Sequence, residues 1–236
     1  MIRLQFDKET DWRDGVAVLI DKPYEWTSFN VVSKVKSLLY HRLGYKKIKV
    51  GHAGTLDPLA TGLLIVCVGK ATKQVQTIQD MRKEYIATFR LGATTPSFDL
   101  ETEINEDFPF EHITRDLFDS ILAKFIGFQM QVPPLFSAKS VDGGRAYKLA
   151  RKGVVMELEP SPIEITLLET VEFLPPMVKV KVECSKGTYI RSLARDVGKA
   201  LNSGAHLVEL KRTAIGNFSV EDALSPSEFE KKIDSM

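Results

Sequence analysis

The chain has 236 residues and a formal net charge of +1, with 32 Lys and Arg against 31 Asp and Glu. This length allows one large domain or two modest ones, and the near-zero net charge excludes an overall basic protein that would bind nucleic acid through bulk electrostatics. Because there is neither a 20-residue apolar run nor a charged-then-apolar amino terminus, the sequence predicts a soluble, cytoplasmic protein.

The first part of the chain alternates predicted strands and helices. Residues 16–21 are apolar enough for a strand, and Thr27 or Ser28 then caps a helix with apolar residues at helical spacing. After a basic segment and a glycine-rich loop, the pattern predicts a strand at 63–68, a short helix at 71–78, a strand at 85–91, and helices at 114–125 and 145–152.

The later part of the chain is dominated by strand patterns. Strands are predicted at 155–158, 163–173 and 178–184, a helix at 189–201 and a strand at 207–210, and a capping box that begins at Ser225 opens a last helix. Helices interrupt the strands irregularly, and several strands are adjacent in sequence. This order predicts an α+β fold with a mixed, largely antiparallel central sheet and flanking helices.

Several common kinds of site have no support in the sequence. There is no P-loop, no Gly-x-Gly-x-x-Gly before a helix and no Gly-x-Ser-x-Gly, which argues against nucleotide hydrolysis and a serine triad. The four histidines lack zinc-site spacing, so no metal is predicted. Cys67 and Cys184 lie in apolar runs, which favours buried free thiols over a disulfide.

Positive charge is concentrated in three short segments despite the balanced total. Such segments either form a basic face that binds phosphates or lie on an ordinary solvated surface. They comprise Arg42, Lys46, Lys47 and Lys49; Lys139, Arg145, Lys148, Arg151 and Lys152; and Lys186, Arg191, Arg195 and Lys199.

The segment 51–62 places one carboxylate, Asp57, among glycines, small residues and a proline. A residue there contributes little to packing, and the strand predicted directly after it would give the loop a rigid support, as is common for catalytic loops. Alternatively, Asp57 before Pro58 forms an ordinary turn in which the carboxylate caps its own backbone. The spacing alone names no reaction.

The segment 51–62, followed by Gly-Lys-Ala-Thr-Lys at 69–73, resembles the catalytic motif of the TruB family of tRNA pseudouridine synthases. Four further blocks resemble that family in the same order: 83–85, 132–138, 184–193, and 205–207 leading into 210–213. One departure is Glu25, which stands where the family usually has glycine and so affects the turn at that point.

The resemblance implies a pseudouridine synthase fold and an enzyme that isomerises uridine to pseudouridine at position 55, in the TΨC loop of tRNA, after base flipping and without cofactor or metal. Residues 1–236 would form a single catalytic domain, without the carboxy-terminal PUA domain that many family members carry. The implied partner is the T stem-loop of tRNA. The protein is expected to be a monomer that needs no obligatory protein partner.

The resemblance also assigns roles to particular residues. Asp57 is the essential catalytic residue, as a nucleophile or as a base, and Arg191 is the cation that keeps it ionised. Tyr85 would lie against the target uracil. Without the resemblance, Arg191 fits a helix surface and Tyr85 fits a core position. Substrate contacts are implied for His52, Tyr189 and Leu210.

Two other functions remain open at this point. The first is the catalytic subunit of a guide-RNA-dependent pseudouridylase, although the chain lacks the extra domain that such proteins use for partner assembly. The second is a non-catalytic module that binds or folds tRNA. The presence of Asp57, Tyr85 and Arg191 together argues against a loss of catalysis.

Overall fold

The computed structural model describes residues 3–135, 140–141, 144–145 and 158–236. The chain forms two units, one of Met1–Tyr85 with Leu210–Met236 and the other of Ile86–Glu209. The strand predicted at 155–158 lies outside the described residues except for its last residue. The helix predicted at 145–152 also lies outside them except for Arg145, which belongs to a strand.

The first unit is built around an apolar strand, β3, whose side chains are almost all buried. Strands β1 and β2 both pair antiparallel with β3, and β12 pairs parallel with its first residues. The elements of this unit are β1 (Val16–Lys22), α1 (Ser28–His41), β2 (Val50–His52), β3 (Thr61–Val68), a 3₁₀ helix (Gly69–Gln74), α2 (Val75–Asp80), the start of β4 (Lys83–Leu91), the end of β12 (Ala205–Ile215), β13 (Phe218–Ser219) and α5 (Pro226–Asp234).

Helices α1 and α5 follow the sequence predictions closely. Thr27 caps α1 and forms a capping box with Asn30, and Ser225 does the same for α5 with Glu228. The apolar stripes of the two helices belong to one core cluster with β1, and Lys34 Nζ of α1 lies 2.7 Å from a carboxylate oxygen of α5. Burial of these stripes, at about 25 cal/mol per Å² of apolar surface, holds both helices in place.

Two residues with positive φ shape this unit. Glu25 has φ 65°, so the turn that a glycine would favour is formed by a glutamate in the left-handed region. Gly62 has φ 100°, and a Cβ atom on it would lie 2.3 Å from the carbonyl oxygen of Arg212. Only glycine therefore allows β12 to approach the start of β3 this closely.

The second unit is dominated by antiparallel pairing. Strand β10 pairs antiparallel with β11 on one side and with β7 on the other, and the strand order is β12-β4-β11-β10-β7. The elements are the rest of β4 and of β12, β5 (Ala93–Thr94), β6 (Glu106–Asp107), α3 (Arg115–Ala123), β7 (Gly127–Gln131), β8 (Ser140–Val141), β9 (Gly144–Arg145), β10 (Ser161–Leu174), β11 (Met177–Cys184) and α4 (Ile190–Ala200).

The predicted fold class is confirmed: the protein is α+β with a mixed, largely antiparallel sheet. Strand β12 is much longer than the predicted 207–210, because it continues through charged residues that interrupt the apolar run. Cys67 and Cys184 are buried and form no disulfide, as predicted, and burial raises the pKa of the Cys67 thiol to about 11. Within the described ranges, no helix has the length and apolar character needed to cross a membrane.

The close approach at Gly62 makes a prediction about stability. Gly62→Ala combines a left-handed backbone with a steric clash and should lower the free energy of unfolding by about 3 kcal/mol or more. Gly44→Ala is the matched control, because Gly44 also has positive φ (75°) but has open space around a Cβ. It should cost about 1–2 kcal/mol. Equal losses for both variants in urea unfolding would contradict the clash.

Candidate active site

The Asp57 loop, residues 53–60, connects β2 to β3. The amide of Ala53 donates to the carbonyl of Ile65 at 2.9 Å, so the loop leaves the sheet in a fixed direction. A turn follows Asp57, closed by the amide of Ala60, which donates to the carbonyl of Asp57 at 3.1 Å. The side chain of Asp57 is partly exposed, whereas β3 beneath it is buried. The loop is thus mounted on a rigid strand, as the sequence predicted.

Buried side chains hold the backbone of the loop on both sides of Asp57. Before it, the hydroxyl of Ser28 accepts from the amide of Leu56 at 2.9 Å and lies 3.1 Å from the carbonyl of Leu56, to which it can donate. After it, the ammonium group of Lys22 donates to the carbonyl of Pro58 at 3.2 Å. Since both side chains are buried, water does not compete for these hydrogen bonds.

Lys22 is a buried cation beside this carboxylate. Its Nζ also donates to the carbonyls of Pro23 at 2.9 Å and Trp26 at 2.6 Å. Burial lowers the pKa of Lys22 to about 8, the negative charge of Asp57 opposes this change, and the positive charge of Arg212 adds to it. Below this pH the ammonium ion attracts the ionised form of Asp57.

Arg212 reaches the same loop from β12. Its side chain is 1% exposed. Nε donates to the carbonyl of Leu63 at 2.8 Å, Nη2 to that of Gly54 at 3.1 Å and Nη1 to that of Thr55 at 3.5 Å. The backbone that precedes Asp57 is therefore bonded to a guanidinium group, just as the backbone that follows it is bonded to an ammonium group.

His52 lies at the end of β2 and is half-buried. Desolvation is the main cause that lowers its pKa, and the charge of Arg212 lowers it further, against a smaller opposing effect of a hydrogen bond with the backbone of Gly54. At neutral pH the ring is therefore uncharged, and it has one donor and one acceptor nitrogen without adding a third cation to Lys22 and Arg212.

Tyr85 and Leu210 also belong to the first unit. Tyr85 lies on β4 and is 8% exposed, which is the burial of a core aromatic side chain. Leu210 lies on β12, is partly buried, and its carbonyl accepts from the hydroxyl of Thr61 at 3.4 Å. Their predicted contacts with a uracil ring stay predictions.

Arg191 and Tyr189 belong to the second unit, at the start of α4. Arg191 is 3% exposed, so the helix-surface interpretation is wrong. Its Nε lies 3.5 Å from a carboxylate oxygen of the buried Asp99, and Nη1 donates to the carbonyl of Ser97 at 3.3 Å. Tyr189 precedes the helix, and the side-chain amide of Gln131 bonds both its backbone amide, at 2.8 Å, and its carbonyl, at 3.1 Å.

The sequence patterns did not predict a part in these sites for four side chains. Each of them is buried although it carries a polar or charged group, and such residues are usually exposed. A charged residue at the end of an apolar strand was the available signal for Lys22. Asp99 begins an acidic stretch that extends to Asp119, and the other carboxylates of this stretch hid the signal. The four are Lys22, Ser28, Asp99 and Arg212.

Comparisons with known proteins decide the family. The model of the TruB family pseudouridylate synthase N-terminal domain matches residues 41–190, and that of the tRNA pseudouridylate synthase B C-terminal domain matches residues 191–234. The chain belongs to the TruB family of pseudouridine synthases. It is therefore an enzyme of the isomerase class.

Individual relatives agree with this assignment. The chain is 55% identical over 224 residues to tRNA pseudouridine synthase B of Phocaeicola vulgatus, with 95% of each chain covered. It is 50% identical to the protein of the same name from Flavobacterium johnsoniae, over 94% of this chain and 98% of that one.

Among solved structures, the chain is similar to one in a Cbf5-Nop10-Gar1 complex, with 29% identity and a TM-score of 0.70. The matched region covers 93% of this chain and about half (54%) of the chain in that complex.

The buried position of Lys22 makes a prediction about pH. Between pH 8 and about 10.5 the unfolded chain keeps the proton on Lys22 while the folded protein releases it, so the contribution of this residue to stability rises with pH. The free energy of unfolding of the wild type, relative to Lys22→Met, should therefore increase from pH 8 to 10 in urea titrations. The exposed Lys8, in a Lys8→Met control, should give a flat difference. A flat difference for Lys22→Met would mean that Lys22 is solvated.

Proposed function

We propose that this TruB-family enzyme isomerises uridine to pseudouridine at position 55, in the TΨC loop of tRNA, with Asp57 as its essential catalytic residue and without a cofactor. The observation that carries the proposal is the geometry of the Asp57 loop. A partly exposed carboxylate lies between backbone segments bonded to Ser28, Lys22 and Arg212, beside a buried ammonium group. The names of the relatives support tRNA as the substrate.

The chemistry suits one catalytic carboxylate without a cofactor. The glycosidic bond between N1 of uracil and C1′ of ribose breaks, the ring turns, and C5 forms a bond to C1′. N1 ends with a proton and C5 loses one, so the reaction is an isomerisation without redox change. Asp57 acts either as a nucleophile towards the nucleoside or as a base on the ribose, and both roles need the ionised form that the charge of Lys22 favours.

Other residues would recognise the extruded nucleotide. A uridine in a folded stem-loop must leave the base stack before a side chain can reach it. Tyr85 would then lie against the uracil ring, where stacking is worth about 1–3 kcal/mol. His52, Tyr189 and Leu210 would complete the substrate contacts. Arg191 is assigned to the same reaction as the permanent cation that favours ionised Asp57.

The basic segments would bind the phosphate backbone of the tRNA arm, while its shape provides recognition. We place the enzyme in the cytoplasm as a monomer whose residues 1–236 form one catalytic domain. A guide-RNA-dependent subunit is the second candidate, because the similar solved chain belongs to a complex with Nop10 and Gar1. The two functions differ in whether the purified chain acts alone.

The deciding experiment follows tritium release from C5-labelled uridine in a tRNA transcript. The purified chain alone should release tritium from a wild-type transcript, and not from one in which uridine 55 is replaced by cytidine. Asp57→Asn should release none while it still binds the transcript in a filter assay. Release only after the addition of guide RNA and partner proteins would establish the second candidate, and turnover by Asp57→Asn would remove Asp57 from the mechanism.

Tyr85 makes a separate prediction. Tyr85→Leu removes the proposed stacking surface and should lower kcat/KM by about 10- to 100-fold, which corresponds to roughly 1–3 kcal/mol. The loss of stability should be smaller than that of its control, Phe89→Leu. Phe89 is fully buried and lies four residues further along β4, on the same face as Tyr85. If Tyr85→Leu and Phe89→Leu both lose activity only as far as they lose folded protein, Tyr85 has no role beyond the core.

A further inference from the structure

Arg212 is placed next to the Asp57 loop by the pairing of two strands. On β12 it lies opposite Gly62 of β3 in a parallel register, and the missing side chain of Gly62 lets the two backbones meet. The guanidinium group of Arg212 then extends to three carbonyls. One of them belongs to Leu63 in the rigid strand, and the other two, those of Gly54 and Thr55, belong to the peptide groups immediately before Thr55 and Leu56.

This arrangement uses what distinguishes Arg from Lys. A guanidinium group is planar and offers five N–H donors in a fixed fork, whereas an ammonium group is a point charge on a flexible stem. The fork of Arg212 donates through three different nitrogens to carbonyls from both ends of the loop segment 54–63. A displacement of the loop would break these hydrogen bonds in a buried place and leave polar groups unpaired away from water, which is unfavourable.

The positive charge of Arg212 is stabilised by backbone carbonyls. Among the described residues, its guanidinium makes three hydrogen bonds, which all go to backbone carbonyls and not to a carboxylate. Its positive charge acts instead on the titratable groups around it. It lowers the pKa of Lys22 and that of His52, after desolvation in each case, while Asp57 and Asp21 act on Lys22 in the opposite direction.

We propose that Arg212 is a positioning residue for pseudouridine formation, whose forked guanidinium fixes the peptide groups that lead into Asp57. This inference rests on the proposed function. A second consequence follows from its charge: His52 at the mouth of the loop stays neutral, so the loop presents one anion and one uncharged ring to the nucleotide. Arg212 itself touches neither the nucleotide nor the reacting atoms in this account.

A purely structural role would look different. In that case Arg212 would only join β12 to β3, and its loss would reduce the folded fraction without changing the folded enzyme. Two measurements separate these roles: the single-turnover rate constant and the pKa of His52. Neither quantity depends on the fraction of the protein that is folded.

The kinetic test uses single-turnover tritium release with three variants. Arg212→Gln should lower the rate constant by about 100-fold, the size expected from a small misplacement of the catalytic group, with KM for tRNA little changed. Arg212→Lys keeps the charge but not the fork, and should lose most of the same rate. Lys211→Gln, which removes an exposed charge from the neighbouring position of β12, should keep the wild-type rate.

The second test is an NMR titration of the histidine rings without substrate. The pKa of His52 should rise in Arg212→Gln and stay in place in Arg212→Lys and Lys211→Gln. His112, which is hydrogen-bonded to the carbonyl of Leu201 in the other unit, is the internal reference. Should Arg212→Gln fail to fold, Arg212→Lys still decides the positioning role through its rate.

The outcomes are distinguishable. A wild-type rate in folded Arg212→Lys, or an unchanged His52 pKa together with a wild-type rate in folded Arg212→Gln, would overturn the proposal. If the wild-type protein released no tritium at all, the proposed function would fail. The inference that rests on it would fail as well, while the His52 titration would still report whether the charge of Arg212 reaches the loop.

Discussion

The position of Asp57 depends on hydrogen bonds made by the peptide groups of its neighbours. Ser28 bonds Leu56 on one side, and Lys22 bonds Pro58 on the other. Because these partners are buried, the loop is fixed before any substrate binds. A carboxylate held this way needs little reorganisation during the reaction, which is the main source of electrostatic catalysis in enzymes.

Burying two cations near the loop is unfavourable, and hydrogen bonds to carbonyl groups offset this penalty. Removing a charged group from water is unfavourable unless it is paired or well hydrogen-bonded. The ammonium of Lys22 is bonded to three carbonyls, and the guanidinium of Arg212 is bonded to three others. In the part of the chain that the structure describes, no carboxylate forms a hydrogen bond with either cation, so their positive field acts on Asp57.

In the second unit, a buried cation lies next to a carboxylate. Arg191 is buried at the start of α4, and its guanidinium lies 3.5 Å from the carboxylate of Asp99. Its fork also donates to the carbonyl of Ser97. The assignment of Arg191 to catalysis rests on the family resemblance.

Local signals explain what could be predicted from the sequence. The capping boxes at Thr27 and Ser225 and the apolar stripes of their helices are local features, and the structure confirms both helices. The glycine-rich segment correctly indicated a loop on a rigid strand. Lys22 and Arg212 escaped prediction because their role depends on residues 36 and 158 positions away in sequence, and a pattern treats a charged residue in a strand as solvated.

Hydrogen exchange at the amide of Leu56 tests the central claim most directly. This amide lies in a surface loop, yet it donates to the buried hydroxyl of Ser28. We predict that in the free protein it exchanges as slowly as the amide of Ala53, which is bonded to β3. Exchange at the rate of an unstructured peptide would show that the loop is not fixed before substrate binds, and would contradict the account.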